Sequence, residues 1–377
     1  VARRPRRSPA SVTAKPSPMS LEPPMRRALE LARQAWGRTH PNPMVGAVLT
    51  EDGVIVAEGF HAKAGEPHAE VMVLRNLGRR PKPDAILHVT LEPCCTHGRT
   101  PPCVDAIVEA GLRTVVVGAL DPNPAHAGHG LALLRSKGVA VVEGVLATDC
   151  TDLNLIFNHW IVAQRPLLAL KVASSLDGRL VPADGMSPWI TGEAARANVQ
   201  EWRALFPAIA VSVDTLLKDN PRLTARLPEG ERCGIRFVLD RHFRSAGKAG
   251  LNLFRDAYND RTIVVGMESA VRTADLRWYE AEGVSYWCLP GGPEDFLTNW
   301  IARCALEQVT GVMVEAGPRL AAGLMEEGRV DYLLAYVAPM FTGNPDSPVW
   351  ASSAVGQLID PRVEVFGQDA LYRGYLA

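Results

Sequence analysis

Apolar positions change period along the chain, and each change marks an element. Met25, Leu29, Ala32 and Trp36 fall at i, i+4, i+7 and i+11, one face of an amphipathic helix. His40-Pro41-Asn42-Pro43 then breaks the pattern. Short apolar runs over 44–50 and 54–57 flank Glu51-Asp52-Gly53, which predicts a β-hairpin with an Asp-Gly turn. Helical spacing follows over 68–77, 102–110, 128–137 and 148–163, alternating with strand-like runs at 85–91, 114–118 and 139–143. Such alternation predicts a sheet with helices on both faces.

Arg165-Pro166 ends this block, and a second one begins. Its strands are expected at 167–172, 208–213, 235–239, 262–266, 284–288, 311–315 and 331–338, with one or two more in 361–376. Its helices are expected near 191–204, 294–306 and 318–327. The predicted organisation is a disordered tail over 1–24, a first α/β domain over 25–165 and a second over 166–377. The tail holds six prolines and the run Arg3-Arg4-Pro5-Arg6-Arg7, and cannot bury enough apolar surface to order itself. It lacks the apolar centre of a secretory signal. It is Arg-rich and acid-poor, as organelle transit peptides are, though its prolines spoil an amphipathic helix. Met19 or Met25 is the expected start of the working protein.

The 377 residues suffice for roughly two or three domains. Forty basic and 41 acidic residues leave a net charge of −1, so a whole-protein basic field for gripping nucleic acid is excluded. Hydrophobic content of 47% with 21% charged residues is that of a soluble globular protein. No run approaches the roughly 18 uninterrupted apolar residues of a membrane span. Seven unevenly spread cysteines argue against a disulfide scaffold and for a reducing compartment. Cys150, Cys233, Cys288 and Cys304 read as ordinary thiols.

The remaining cysteines keep chemical company. His68-Ala69-Glu70, Leu91-Glu92-Pro93-Cys94 and Pro101-Pro102-Cys103 place one imidazole and two thiols at strand ends and helix starts. Three such ligands leave a fourth tetrahedral position for water, the arrangement of a catalytic zinc, which lowers the water's pKa to about 7. Glu70 sits two residues from a ligand, where it can shuttle protons without ligating. Cys95 and His97 are rival ligands by proximity; the prolines beside Cys94 and Cys103 favour the latter pair.

These residues resemble the cytidine-deaminase superfamily, whose nucleobase deaminases carry His-x-Glu and Pro-Cys-x-x-Cys. Here eight residues separate Cys94 from Cys103 instead of two. That insert, with His40-Pro41-Asn42-Pro43-Met44-Val45-Gly46 and Asp121-Pro122-Asn123-Pro124, resembles the deaminase half of the bifunctional riboflavin-biosynthesis deaminase/reductase family. The resemblance implies a cytidine-deaminase-like three-layer α/β/α domain that deaminates a phosphoribosylated diaminopyrimidine. His68, Cys94 and Cys103 would hold Zn2+, and Glu70 would carry the protons. Read from their own chemistry, Asn42 offers a donor and an acceptor to a pyrimidine edge, and Arg99 a fork to a phosphate.

The second block has no Gly-x-Gly-x-x-Gly run after its first strand, so the standard dinucleotide fingerprint is absent. Glu315-Ala316-Gly317-Pro318-Arg319-Leu320-Ala321-Ala322-Gly323 reads instead as strand end, tight turn and helix start, whose free amides favour an anion. Thr191 is positioned to cap the helix near 191. The pieces in this order resemble the family's reductase half, over nearly all of 25–377 for the two halves together. The resemblance implies a dihydrofolate-reductase-like α/β domain that uses NADPH. Ala173, Trp189, Thr215, Asp219 and Gly317, Pro318, Arg319, Leu320, Ala321, Ala322 and Gly323 would line the cofactor. Ser187, Arg203, Leu223, Arg226 and Glu315 would hold the substrate, with Arg203 and Arg226 able to fork onto phosphate. Valine and aspartate in Val211-Ser212-Val213-Asp214-Thr215, and Arg241 after Asp240, depart from the small residues of the pattern. Asp214 near a 2′-phosphate would disfavour NADP, and Arg241 would favour it.

The expected partner is a small phosphorylated pyrimidine, with no nucleic acid and no membrane; a homo-oligomer stays open. The expected location is cytoplasmic, or the plastid stroma if the tail is a transit peptide. Three other readings compete. One is an active deaminase with a degenerate or different reductase domain. Another is a nucleic-acid-binding deaminase, which should show a basic stripe with interleaved aromatics, yet aromatics are only 6%. The last is a non-catalytic zinc module, which calls for four closed ligands.

Overall fold

The computed structural model describes residues 18–97, 101–180, 189–271, 275–343, 346–350 and 356–377. The chain divides into two compact units: residues up to Ala35 with Met44–Asn154, and Trp36–Pro43 with Leu155–Ala377.

The first unit contains α1 (Pro18–Arg33), β1 (Gly46–Glu51), β2 (Val54–Phe60), α2 (Ala69–Leu77), β3 (Ile86–Leu91), α3 (Cys103–Glu109), β4 (Thr114–Ala119), α4 (His129–Ser136), β5 (Ala140–Glu143) and α5 (Ala147–Leu153). Its five strands run in the order β2-β1-β3-β4-β5. The β1–β2 pair is the expected hairpin, and Asp52 and Gly53 turn it with φ of 51° and 77°. Alternate strand residues serve opposite faces. Ala47, Leu49, Leu87, Val89, Val115 and Val117 pack with α2, α3 and α4 through Val73, Ile107 and Leu131. Helices α1 and α5 contact the strands as well, α1 on β1 and α5 on β4.

Three expectations fail in instructive ways. The helix begins inside the expected tail, at Pro18, and runs through Pro23 and Pro24. Buried Leu21, Met25, Ala28 and Leu29 supply the packing that outweighs two missing amide donors near its start. Trp36 lies beyond its end and belongs to the second unit, where its indole donates to the Glu201 carbonyl at 2.8 Å. The expected helix over 148–163 breaks at Asn154, whose buried side chain accepts from Met44 N at 2.7 Å and donates to Met44 O at 2.9 Å. A side chain committed to another segment's backbone stops the helix there.

The second unit contains α6 (Leu155–Ala163), β6 (Leu167–Ser175), α7 (Glu193–Leu205), β7 (Ala208–Ser212), α8 (Val213–Asp219), β8 (Ala225–Leu227), β9 (Gly230–Arg232), β10 (Ile235–Leu239), α9 (Asn252–Arg255), β11 (Thr262–Met267), α10 (Arg277–Ala281), β12 (Ser285–Leu289), α11 (Phe296–Leu306), β13 (Gly311–Glu315), α12 (Pro318–Glu326), β14 (Tyr332–Ala338), β15 (Leu358–Phe366) and β16 (Asp369–Leu376). The main sheet runs β12-β11-β10-β7-β13-β6-β14-β16-β15, with parallel pairings up to β14 and antiparallel ones from β14 to β16 and from β16 to β15. One face packs Leu168, Phe237, Val312 and Trp300. Another cluster gathers Ile209, Val238, Val264, Phe254 and Tyr279.

The strand expected to reach 213 stops at Ser212, which caps α8 by accepting from Thr215 N at 3.3 Å. Thr191 does not cap α7. The capping position is Gly192, whose amide donates to Asp369 at 2.7 Å. The small β8–β9 hairpin was not anticipated, because its strands are three residues each.

Candidate functional site

In the first unit three elements converge. His68 occupies the N-cap of α2 without making a side-chain cap, so its ring is available. Cys94 follows the end of β3, and Cys103 is the first residue of α3, after Pro102. His68 Nδ1 lies 3.2 Å from Cys103 Sγ and 3.6 Å from Cys94 Sγ. All three ligand atoms fall within 4.8 Å of one another. A tetrahedral zinc with ordinary bond lengths would separate nitrogen from sulfur by about 3.6 Å, so the donor set fits that ion. The Cys103 amide donates to Cys94 Sγ at 3.3 Å. Hydrogen bonds, first from the Cys103 thiol, drive the Cys94 thiol well below its ordinary pKa.

Glu70 is buried in the first turn of α2. Burial pushes its carboxyl up to about 7, and it lies within hydrogen-bond reach of Cys103. A carboxyl poised near neutrality beside an ion site can accept and return a proton. The rivals separate from the cluster. Cys95 Sγ faces His126 Nδ1 at 3.8 Å, and His97 is exposed. His61, which the sequence did not single out, stacks edge-on against the His68 ring at 5.4 Å between centroids. Its only sequence signal is a histidine closing a strand.

In the second unit the carboxyl ends of parallel strands converge, the usual ligand position in such sheets. Glu315 ends β13, and on the neighbouring β6 its register partner is Lys171. Arg203 of α7 reaches Glu315 with Nε at 2.6 Å and Nη2 at 2.9 Å, and its Nη1 donates to Thr224 O at 3.0 Å. The fork expected to meet a phosphate is therefore engaged by a carboxylate. Burial works to raise the Glu315 carboxyl, but the Arg203 charge and hydrogen bonds bring it below its ordinary value. Burial lowers the Lys171 ammonium, with Glu315 opposing. Sequence reasoning missed Lys171, although a lone lysine inside an apolar strand was the available signal.

The segment Gly311–Glu315 passes through Gly317 into α12, with Pro318 at the helix start. A Cβ on Gly317 would stand 3.4 Å from Thr215 Oγ1, so the β7 and β13 turns lie side by side. Asp214 pairs with Arg244, and Arg319 Nη1 lies 3.7 Å from it. Arg241 instead stacks over Phe296 at 5.1 Å.

Residues 19–119 match the cytidine and deoxycytidylate deaminase zinc-binding region, and residues 166–372 match the RibD C-terminal domain. The riboflavin biosynthesis protein RibD of Actinobacillus pleuropneumoniae is 38% identical over 358 residues, covering 92% of this chain and 93% of that one. The chain belongs to the RibD family. RibD of Acinetobacter baumannii superposes with a TM-score of 0.77 at 34% identity, over 96% of this chain and all of that one. A Thermotoga maritima structure, titled a diaminohydroxyphosphoribosylaminopyrimidine deaminase/5-amino-6-(5-phosphoribosylamino)uracil reductase, gives 0.80 at 35% identity, over 94% and 98% of the two chains.

Among the other expected residues of this RibD chain, Trp189 is 63% exposed with the Arg196 guanidinium 5.2 Å over its ring. Ala173 lies on β6 with Tyr336 as its β14 partner. Asp219 and Arg226 are exposed. Leu223 is buried in the core and holds a left-handed backbone with φ of 54°, strain of the kind that clusters at ligand sites. Leu320, Ala321, Ala322 and Gly323 lie within α12, with Ala321 in the core. Asn42 belongs to the Trp36–Pro43 segment of the second unit, and its amide donates to Thr39 O at 2.7 Å. Arg99 and Ser187 lie outside the described residues. Among the described residues no helix is long and apolar enough to cross a membrane.

Proposed function

We propose that this RibD chain performs two successive steps on one phosphoribosylated pyrimidine. Residues 25–165 remove an exocyclic amine, and residues 166–377 reduce the ribosyl group to a ribityl chain with NADPH. The observation that carries the first step is the convergence of His68, Cys94 and Cys103 beside buried Glu70.

His68, Cys94 and Cys103 would hold Zn2+. When bound, the ion supplies a Lewis acid that makes a water nucleophilic at neutral pH. Glu70 takes a proton from the attacking water and returns one to the departing amine, so that ammonia leaves and an oxo group remains. Asn42 and Arg99 are assigned to the pyrimidine edge and the phosphate.

In the second step the nicotinamide supplies the hydride. Ala173, Trp189, Thr215, Asp219 and the Gly317–Gly323 turn would hold it. Ser187, Arg203, Leu223, Arg226 and Glu315 would hold the substrate. Lys171, beside Glu315 in register, is the group we assign to donate a proton as the sugar ring opens. The Actinobacillus pleuropneumoniae relative is bacterial, and we place this enzyme in the cytoplasm.

Mass spectrometry of the products tests both steps. Zinc-loaded protein is mixed with the diaminopyrimidine ribosyl phosphate, with and without NADPH. Exchange of amine for oxo without NADPH, then gain of two hydrogens with it, is expected. Deamination alone would overturn the reductase half, and an unchanged substrate would overturn both.

A further inference from the structure

Glu92 ends up in an unusual position for a carboxylate with no cationic partner among the described residues. It follows β3, lies two residues before Cys94 and is only 4% exposed. Its Oε2 accepts from Asp121 N at 3.2 Å and Gly128 N at 3.0 Å. Its Oε1 accepts from Gly130 N at 2.9 Å and Leu131 N at 3.4 Å. Four backbone donors thus converge on one side chain, and two of them belong to the first turn of α4. The α4 N-cap is Gly128, which has no side chain to satisfy those amides. Glu92 does so from 38 and 39 residues away.

The segment so gathered returns to the ligand turn. Asp121 Oδ1 accepts from Asn123 N at 2.9 Å, folding the loop on itself. Further along, His126 comes within 3.8 Å of Cys95 Sγ and 3.4 Å of Thr96 Oγ1, both beside Cys94. The approach is close. A Cβ on Gly130 would stand 2.3 Å from Pro93 O and 3.1 Å from Glu92 Oε1, so only glycine fits there.

We infer that Glu92 is a positioning residue of the deaminase site: its carboxylate locks the 121–131 segment to the Cys94-bearing turn, so that ligand turn and loop keep one geometry. The inference rests on the deaminase reading above. It assigns Glu92 no contact with substrate and no proton transfer.

The test compares the wild-type chain with Glu92→Gln and Gly130→Ala. The amide side chain keeps the size of the carboxyl but retains one acceptor oxygen in place of two. The added methyl of the second variant pushes the same junction apart from the other side. Amide hydrogen exchange, zinc content, deaminase kinetics and reductase turnover are read on each. Both variants are expected to exchange faster at Asp121, Gly128 and Gly130, with exchange in β1 and α1 unchanged. They should keep one zinc per chain and an unaltered reductase rate, while the deaminase KM rises roughly tenfold or more and kcat changes less. Unchanged deaminase kinetics in both variants would overturn the inference. So would loss of zinc in proportion to loss of activity, because Glu92 would then act on the ligands. A wild-type chain that fails to deaminate would sink the functional reading itself, a result distinct from any difference between variants and an active wild type.

Discussion

Arg203 and Glu315 stand 112 residues apart in sequence and meet in a two-point fork of 2.6 and 2.9 Å. Their side chains are 11% and 15% exposed. A buried pair of this kind matters most when one partner is removed, because the other is left charged and unmatched. Glu315→Gln is expected to destabilise the reductase unit by about 3 kcal/mol and to abolish reduction while sparing deamination. Arg203→Lys should fail similarly, since a single ammonium cannot span both oxygens. Denaturant unfolding beside the two activity assays decides this; a fully stable, fully active Glu315→Gln chain would remove the pair from the site.

The zinc site should separate chemically from the rest of the enzyme. Chelation is expected to stop deamination and leave NADPH-dependent reduction of the deaminated substrate intact. Glu70→Gln should retain the ion yet lower deaminase kcat by about a hundredfold or more, the scale of a lost general base and acid. Metal analysis together with turnover distinguishes this from Cys94→Ser or Cys103→Ser, which should lose ion and activity together.

Acid stability of the deaminase unit should be set first by buried histidine. Burial pushes His88 down to about 4, and its Nδ1 has no hydrogen-bond partner among the described residues. Below pH 6.5 the unfolded chain takes up a proton that the folded chain refuses. Stability therefore falls as pH drops from about 6.5 to about 4, by about 3 kcal/mol in all. His61, lowered by burial, acts with the same sign. Glu51 differs: its Arg79 hydrogen bonds lower it to about 2, so its contribution persists above pH 4.5 and fades only toward 2. Urea unfolding at pH 7.5, 6 and 5 should show the slope, and His88→Gln should flatten it.

The charges around Asp214 offer a test of cofactor choice. Asp214 alone would repel a 2′-phosphate, but Arg244 pairs with it and Arg319 approaches within 3.7 Å. On the proposed NADPH reading, two cations against one anion would favour the 2′-phosphate, whereas Arg241 is stacked on Phe296. Arg244→Ala and Arg319→Ala are each expected to raise the KM for NADPH by up to roughly tenfold, about 1.4 kcal/mol, with little effect on NADH. Equal effects on the two cofactors would show that these arginines do not read the phosphate.

Local pattern was enough for the βα alternation, the Asp52-Gly53 hairpin and the grouping of His68, Cys94 and Cys103. Periodicity, turn chemistry and ligand spacing all act over a few residues, and each motif sits next to the element end that presents it. It did not suffice where a residue's role depends on a distant partner. Asn154 breaks a helix because it bonds Met44, and Leu21 orders a proline-rich segment because a sheet waits beneath it. Arg203 faces a carboxylate that helices and strands bring from 112 positions away. Lys171 gains its meaning from the β13 register, and Glu92 from amides 29 to 39 residues downstream. Burial and charge balance are properties of the assembled neighbourhood, so only the tertiary structure could assign them.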